Sequence, residues 1–562
     1  MGLPWKAFLA SSGGVAVLAT LQKAHWSTSL VVSLFTKTYL AQLAGWVVYS
    51  LLLYPHFLSP LIGLPEPRGS HWLMGEFSRI MRDPTGIPMM DWASNIPNDG
   101  LIRYRALGNQ ERLLITSAEG LSEVLVKKNY DFSKPSAFRR TTARILGIGI
   151  LLAEGDEHKR QRKHLMPAFA FRHVKDLYPL FWAKSKEVVH AMVDQISADA
   201  SRESAGEKPA AEPAAVVQVG NWASRATLDI IGAAGLGRDF GAIRDPTNIL
   251  NEAYRELSTP TRQSQILGVL TLFLPSWLTA NIPVKHNRVV AKASRTVRGV
   301  CADLVREKRE KLARGELHDL DILSVAIESG GFSDDDLVNQ MMTFLAAGHE
   351  TTAAAMQWAI YLLCLHPGVQ ERLRREVRER LPSVESAESI ASLDIDRMPY
   401  LNAVCNEVLR YYSPVPMTLR QAAVDTSILG HRVPRGTVIV LCPWSVNRSH
   451  ALWGEDANRF DPERWLPKKD GEEAAAGGKA SSLGGATSNY AFLTFLHGPR
   501  SCIGQGFAKA EFACLLAAWV GRFEFGLKNK EEYDEKNLVI KGGITAKPSN
   551  GLWAVTKVLE GW

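Results

Sequence analysis

The chain has 562 residues, 46% of them hydrophobic and 22% charged, with 65 Lys and Arg against 58 Asp and Glu for a formal charge of +7. Those proportions are globular, and they exclude a disordered chain, a collagen-like chain and a transporter with many membrane spans. So small a basic surplus does not identify a partner, and no nucleic acid is expected.

The N-terminus is the least globular part. Residues 7–22 carry no charge, and residues 38–65 carry none apart from His56. About 20 apolar residues cross a bilayer core, so the second run, from Tyr39 to Tyr54 and onward to Leu64, is read as a membrane anchor. Trp46, Tyr49 and Tyr54 suit an interface. The first run is a second span, a re-entrant piece or a signal-like segment. Arg68, Arg79 and Arg82 follow the anchor and favour a cytosolic body, with cleaved secretion as the alternative. The expected division is an anchoring region at 1–63 and a single body at 64–562.

Beyond the stiff Leu64-Pro65-Glu66-Pro67-Arg68-Gly69 turn, the pattern is helical over 174–197, 219–236, 286–314, 334–365, 367–381, 400–412 and 505–520. Ser333-Asp334-Asp335-Asp336 is a start signal for the fourth of these, and His366-Pro367 ends it. Strand-like runs fall at 101–105, 112–116, 437–441 and 537–540. The fold class is mainly α with small β-sheets, α+β. Residues 198–214 and 470–489 are rich in Ala, Gly, Ser and charge and read as mobile surface insertions.

Six cysteines stand at 301, 364, 405, 442, 502 and 514, with no C-x-x-C pair and no zinc spacing. Most read as buried reduced thiols. Cys502 differs. It lies in Phe495-Leu-His-Gly498-Pro-Arg500-Ser-Cys502-Ile-Gly504. Gly498 and Gly504 permit tight turns or close approach to a flat object, Arg500 supplies a cation, and an apolar helix follows. A cysteine at a helix N-terminus is favoured as thiolate, a soft metal ligand.

That segment resembles the haem-ligand loop of the cytochrome P-450 family, F-x-x-G-x-R-x-C-x-G, at every fixed position. Composition alone gives such a match a chance on the order of one in ten thousand. Three further segments resemble family motifs in family order. Ala347-Gly348-His349-Glu350-Thr351-Thr352 is similar to A-G-x-E-T-T. Glu407-Val-Leu-Arg410 is similar to E-x-x-R, whose i, i+3 spacing lets the two side chains pair. Phe460-Asp-Pro-Glu-Arg464-Trp465 is similar to F-x-P-x-R-F, with Trp465 at the final Phe. Residues 155–163 resemble the W-x-x-x-R helix, with His158 in place of Trp.

The resemblance implies a P-450 fold over roughly 64–562 and haem b held by Cys502 as axial iron ligand. It places Phe495, Gly498 and Gly504 around that ligand, with Arg500, Arg420, Arg162 and His158 toward the haem propionates. Ala347 and Gly348 form an oxygen-binding groove, and the catalytic pair is Thr351 and Glu350, with Glu350 relaying protons. Glu407, Arg410 and Arg464 form a structural triad that braces the loop. The resemblance also implies the reaction: a substrate, O₂, two electrons and two protons give a hydroxylated product and water. Only 60 residues follow Cys502, too few for a flavin domain, and no dinucleotide or Walker motif is present. The implied partner is therefore an external NADPH-dependent flavoprotein reductase, with cytochrome b5 as a further donor.

Family position assigns Phe138, Ile148, Leu151, Met341, Phe344, Ala347, Val415 and Met417 to the pocket lining, which implies a lipophilic substrate from secondary metabolism, lipid or xenobiotic oxidation. The apolar run at 266–278 reads as an interfacial dip or a core helix. The anchor resembles that of the endoplasmic-reticulum type with a cytosolic body. Two other functions compete: a thiolate-haem isomerase or dehydratase that uses no O₂, and a non-catalytic haem-binding membrane protein. The intact Glu350-Thr351 pair favours the monooxygenase.

Overall fold

The computed structural model describes residues 4–21, 28–203, 212–258, 261–271, 274, 276–316, 321–467, 483–541 and 543–562. Helices dominate. The N-terminal region holds α1 (Trp5–Leu21) and α2 (Thr28–Val48), the latter continuing as a π-helix over Tyr49–Leu58. Together Thr28–Leu58 make one 31-residue helix, the one described helix long and apolar enough to cross a membrane. It starts eleven residues before Tyr39, because Lys37 interrupts the uncharged run but is a good helix former. α1 lies along α2, with Ser11 Oγ donating to Gln42 Oε1 at 3.1 Å.

In the body, the helices that position the site are α3 (Gly155–Leu165), α4 (Tyr178–Glu203), α5 (Val219–Ile230), α6 (Ile249–Ser258), α7 (Lys285–Ala313), α8 (Asp334–Leu365), α9 (Pro367–Arg380), α10 (Pro399–Tyr411) and α11 (Gln505–Arg522). α8 is the spine. A reciprocal cap starts it: the Asp336 N–H donates to Ser333 Oγ at 3.1 Å, and the Ser333 N–H donates to the Asp336 carboxylate at 3.3 Å. Three aspartates in the first turn suit the helix dipole. Its 32 residues span about 48 Å. Thr352 to Cys364 is buried without a break, and α5, α7 and α11 pack around it.

The described strands are β1 (Leu101–Arg105), β2 (Glu111–Ile115), β3 (Phe132–Ser133), β4 (Ala214–Gln218), β5 (Thr418–Ala422), β6 (Thr426–Ile428), β7 (His431–Val433), β8 (Val438–Leu441), β9 (Phe523–Leu527), β10 (Ile540–Lys541), β11 (Lys547–Pro548) and β12 (Trp553–Val558). The largest sheet runs β1-β2-β8-β5-β3, antiparallel except where β2 meets β8. The others run β4-β12-β9, β10-β11 and β6-β7. The strand expected at 537–540 is reduced to β10, since 3₁₀ turns take Lys530–Tyr533 and Glu535–Asn537.

The end of the long N-terminal helix is bonded directly to the body. Asn109 Nδ2 donates to the carbonyls of Leu51 and Trp72, both at 2.7 Å. Arg103 donates to the Pro55 carbonyl, and Ser59 Oγ donates to Glu111 at 2.8 Å. Of the two stretches read as insertions, 204–211 and 470–482 lie outside the described residues. The flanks correct that reading: 198–203 are the last turns of α4, and Gly484 is pressed so closely on the Trp465 ring that a Cβ would sit 2.9 Å from it. In the apolar run 266–278, residues 272, 273 and 275 lie outside the described set; Ile266 and Leu278 are exposed.

Candidate active site

The segment from Phe495 to Gly504 is a closed loop that feeds α11. The Cys502 N–H donates to the Phe495 carbonyl at 2.8 Å, which cinches the loop at its base. Gly498 takes left-handed backbone, φ 74°, and a Cβ there would lie 2.1 Å from the Leu125 carbonyl oxygen. Leu496 shares the left-handed region at φ 57°, a strain of about 1–3 kcal/mol that the surrounding packing must hold. Gly504 is different: a Cβ there would meet only Phe169, at 3.6 Å, so the protein atoms alone do not demand glycine.

Cys502 lies deep among protein atoms yet keeps accessible surface. Burial holds its thiol above the ordinary value, while the Gly504 N–H and the Arg162 guanidinium pull it down. α11 begins three residues later, at Gln505, so the cysteine precedes the helix instead of standing in its first turn. The other five cysteines are buried; burial alone or chiefly pushes Cys301, Cys364 and Cys442 up to about 12.

The loop is braced from behind. The buried Glu407 carboxylate accepts from Arg410 Nε at 2.7 Å and Nη2 at 2.8 Å, and from Arg464 Nε at 3.1 Å. It also accepts from the Asp461 N–H at 2.8 Å and from Trp465 Nε1 at 2.9 Å. Trp465, the departure from the family pattern, therefore supplies a donor that phenylalanine lacks. Arg410 spends its remaining donors on the carbonyls of Asn447, Ala457 and Arg459. From Asn447 the brace reaches the loop: its Oδ1 accepts the Leu493 N–H at 2.8 Å, and its Nδ2 donates to Thr494 Oγ1 at 2.9 Å. Thr494 Oγ1 in turn donates to the Leu409 carbonyl at 2.7 Å.

Beside the loop, cations outnumber acids. Arg500 is buried, pairs with Glu154, donates to the Phe132 carbonyl and lies 5.0 Å from the centre of the Tyr130 ring. Arg420 is buried and, among the described residues, makes no ion pair; its guanidinium reaches Thr418 and the Leu419 carbonyl. Burial, then Arg500, pushes it down to about 10. Lys134, missed in the sequence, is pushed down to about 7 by burial and then Arg420, with Glu154 opposing. His158 is pushed down to about 4 by burial and then Arg500, Lys134, Arg162 and Arg420. Glu154 is the acid that faces them: it accepts the Lys134 N–H at 2.8 Å. Nothing local in the sequence marks Lys134 or Glu154. Arg162 is turned to the loop, donating to the Ser501 carbonyl at 2.7 Å and hydroxyl at 3.2 Å.

On α8, Ala347 is exposed midway along a helix whose flanks are buried. Thr351 Oγ1 donates to the Ala347 carbonyl at 2.7 Å, the back-bond expected of mid-helix threonine. Gly348 turns its bare side to Ile231, where a Cβ would meet atoms at 3.0 Å. Phe169 links the two sides of the site, touching Gly504 and stacking edge-on with Phe344 of α8, centroids 5.4 Å apart. Glu350 Oε1 accepts from Thr545 Oγ1 at 2.9 Å and Lys547 Nζ at 3.3 Å. Burial raises its pKa; Lys547, His349 and Thr545 reverse this to a net lowering.

A profile of the cytochrome P-450 family matches residues 65–554. The chain belongs to that family. It is 48% identical over 522 residues to the cytochrome P-450 monooxygenase sphH of Aspergillus fumigatus, covering 92% of each chain. It is 44% identical over 556 residues to the cytochrome P-450 monooxygenase ALT8 of Alternaria alternata, covering 92% of this chain and 93% of that one. With FUM15 of Gibberella moniliformis, another cytochrome P-450 monooxygenase, the figures are 42% over 563 residues and 93% of each. The chain is thus an oxygen-incorporating oxidoreductase, and its family implies haem, a redox partner and, in general, a lipophilic substrate.

The residues present fit a P-450 haem. One accessible cysteine offers iron a soft sulfur. Arg420 without an acid, and Arg500 Nε without a hydrogen-bond partner, leave buried positive charge that two propionates complement. Of the residues assigned to the P-450 pocket, Phe138, Ile148, Leu151 and Ala347 are exposed. Val415 and Met417 are half-buried. Met341 and Phe344 are buried in the main core cluster.

Proposed function

We propose that this cytochrome P-450 hydroxylates a lipophilic small molecule of moderate size, of the kind met in secondary metabolism, lipid or xenobiotic oxidation, with electrons from an external NADPH-dependent flavoprotein reductase. Cytochrome b5 is a second donor. The observation that carries the reading is the accessible Cys502 beside a buried cluster in which Lys134 and Arg500 pair with one acid, Glu154, and Arg420 pairs with none among the described residues.

Cys502 Sγ would bind the haem iron, and Arg420, Arg500 and Lys134 would take the propionates, with His158 donating from its neutral ring. Arg162 holds Ser501 and so aims the adjacent cysteine. When bound, the haem supplies the oxygen-activating chemistry: one atom of O₂ enters the substrate and the other leaves as water, using two electrons and two protons. The chain's part is to hold and move those protons. Glu350 is the relay acid on α8, and the Thr351 hydroxyl, one residue on, donates to the carbonyl of the exposed Ala347. Exposed Phe138, Ile148 and Leu151 exclude water and favour apolar ligands. The long N-terminal helix and Arg68, Arg79 and Arg82 support attachment to the endoplasmic reticulum with the body in the cytosol.

The test is the carbon monoxide difference spectrum. The reduced wild-type protein is expected to give the red-shifted thiolate band, and Cys502→Ala to lose it. A band retained in Cys502→Ala refutes the ligand assignment. NADPH and O₂ consumption with added reductase, stimulated by a substrate, separates a monooxygenase from an isomerase or an inert haem protein.

A further inference from the structure

One cation stands against the cysteine loop without an acid. Lys509 is the fifth residue of α11, and its side chain is half-buried. Its Nζ donates to Asn406 Oδ1 of α10 at 2.9 Å. The same atom lies 5.5 Å from the centre of the Phe492 ring and 5.8 Å from that of Phe495. Among the described residues Lys509 makes no ion pair. The helix dipole gives it nothing either, because it favours acids near a helix N-terminus. An unpaired ammonium set over two rings, with neither a carboxylate nor the dipole to offset it, breaks local preference in the way functional sites do.

The two rings tie this cation to the cysteine. Phe492 and Phe495 have their centroids 6.3 Å apart, and Trp465 of the brace stands 5.5 Å from Phe492. The Phe495 carbonyl accepts the Cys502 N–H, so one of the rings under the ammonium belongs to the residue bonded to the cysteine. Nothing beside Lys509 cancels its charge. Asn406 is neutral, and the carboxylate of the next residue, Glu407, is taken up by Arg410 and Arg464. Burial raises the pKa of the nearby Cys405 and so keeps that thiol neutral. Burial lowers the pKa of Lys509 itself, from an ordinary value of about 10.4 that leaves it an ammonium at neutral pH.

We propose that Lys509 is a positioning residue for the electron-transfer step: its charge, held against Phe492 and Phe495, favours the reduced state of the centre that Cys502 would complete and so eases entry of the first electron. The proposal rests on the reading of Cys502 as the iron ligand. In that step ferric iron gains one electron to become ferrous, the flavoprotein reductase loses one, and no proton moves. A fixed positive charge lowers the energy of the state that carries one more negative charge. At an effective dielectric of about 20 and a separation of about 10 Å, one unit charge shifts such an equilibrium about tenfold. The cation–π contacts also hold both rings against the loop. Turned toward Asn406 and the rings, the ammonium acts inward on the loop.

The experiment is a potentiometric titration of the full-length holoprotein with dithionite, followed by its visible spectrum, with neither reductase nor substrate present. Lys509→Met is expected to shift the ferric–ferrous equilibrium about tenfold toward ferric, a potential lower by about 59 mV for a one-electron couple. Lys509→Arg is expected to keep the wild-type value. Asn406→Asp, which sets a carboxylate beside the ammonium, should move the potential in the same direction as Lys509→Met. Should Lys509→Met not fold, Lys509→Gln keeps a donor for Asn406 without the charge and, with Asn406→Asp, carries the test. With reductase added, the first electron should enter Lys509→Met more slowly at saturating reductase. A residue that only docks the reductase would raise the reductase concentration needed for half-maximal rate and leave the titrated potential unmoved. That outcome, or equal potentials in variants that all give the thiolate carbon monoxide band, overturns the proposal and leaves the haem-thiolate reading intact. Absence of that band from the wild type would overturn the haem-thiolate reading instead.

Discussion

The brace behind the cysteine loop and the middle of α8 solve opposite problems. Around Glu407 each oxygen accepts more than one bond, Arg410 uses every donor, and both side chains are fully buried. Around Glu350 the accounts are open. Among the described residues, His349 Nδ1 and the Tyr254 hydroxyl lack partners, and Glu511 on α11 has Thr352 alone beside its carboxyl group. A closed polar network fixes one geometry; an incomplete one leaves room for protons and water to move. The molecule is closed behind the cysteine proposed to bind iron and open around the acid proposed to relay protons.

The strongest blow to that contrast is Glu407→Ala. It leaves the fully buried Arg410 guanidinium without its carboxylate, while Arg464 keeps Asp456, so a loss of about 3–5 kcal/mol is expected, with poor haem retention. Denaturant titration and haem content per polypeptide check it; near wild-type values would mean that the brace is ornamental. Next comes Trp465→Phe, which restores the family residue yet removes a donor to a buried charge, for about 1.5–3 kcal/mol by the same titration. Thr351→Ala, on the adjustable side, should raise peroxide per NADPH several-fold and leave the melting temperature almost unchanged, since its bond is to its own helix. Unaltered coupling would remove it from the relay.

The smallest effect sharpens the comparison by pH. Burial holds Glu511 well above the ordinary carboxylate value, and the Thr352 hydroxyl opposes this only in part. Its folded pKa lies above its unfolded one. The stability tied to the neutral acid is therefore complete below the ordinary carboxylate range and is lost as pH rises through the elevated folded value. Glu511→Gln should flatten that decline. Urea midpoints at neutral and alkaline pH measure it, and an identical slope in the variant would show that Glu511 is not the group responsible.

Local signals carried most of the fold. The seven helices read from periodicity recur with shifted ends, because 3.6-residue patterning and caps are properties of contiguous sequence. Three of the four strands recur; 537–540 does not, since apolar Leu538, Val539 and Ile540 mimic a strand while turn geometry claims their neighbours. The cysteine loop was legible because its residues are adjacent. Lys134 with Glu154, Lys547 with Glu350, and Trp465 with Glu407 were not, because pairing across 20 to about 200 positions leaves no mark in composition or period. Gly348, expected in an oxygen groove, also packs against Ile231, a contact no one-dimensional pattern contains.

The join at Leu51–Ser59 has a mechanical corollary. Asn109, Arg103 and Glu111, all in or beside the first hairpin, grip the end of the long N-terminal helix by backbone carbonyls and a serine. A rod clamped to a sheet in this way transmits torque. Whatever fixes the heading of Thr28–Val48 fixes the heading of the whole catalytic body, so that the mouth of the cavity and the face offered to an electron donor keep a constant bearing instead of swivelling on a tether.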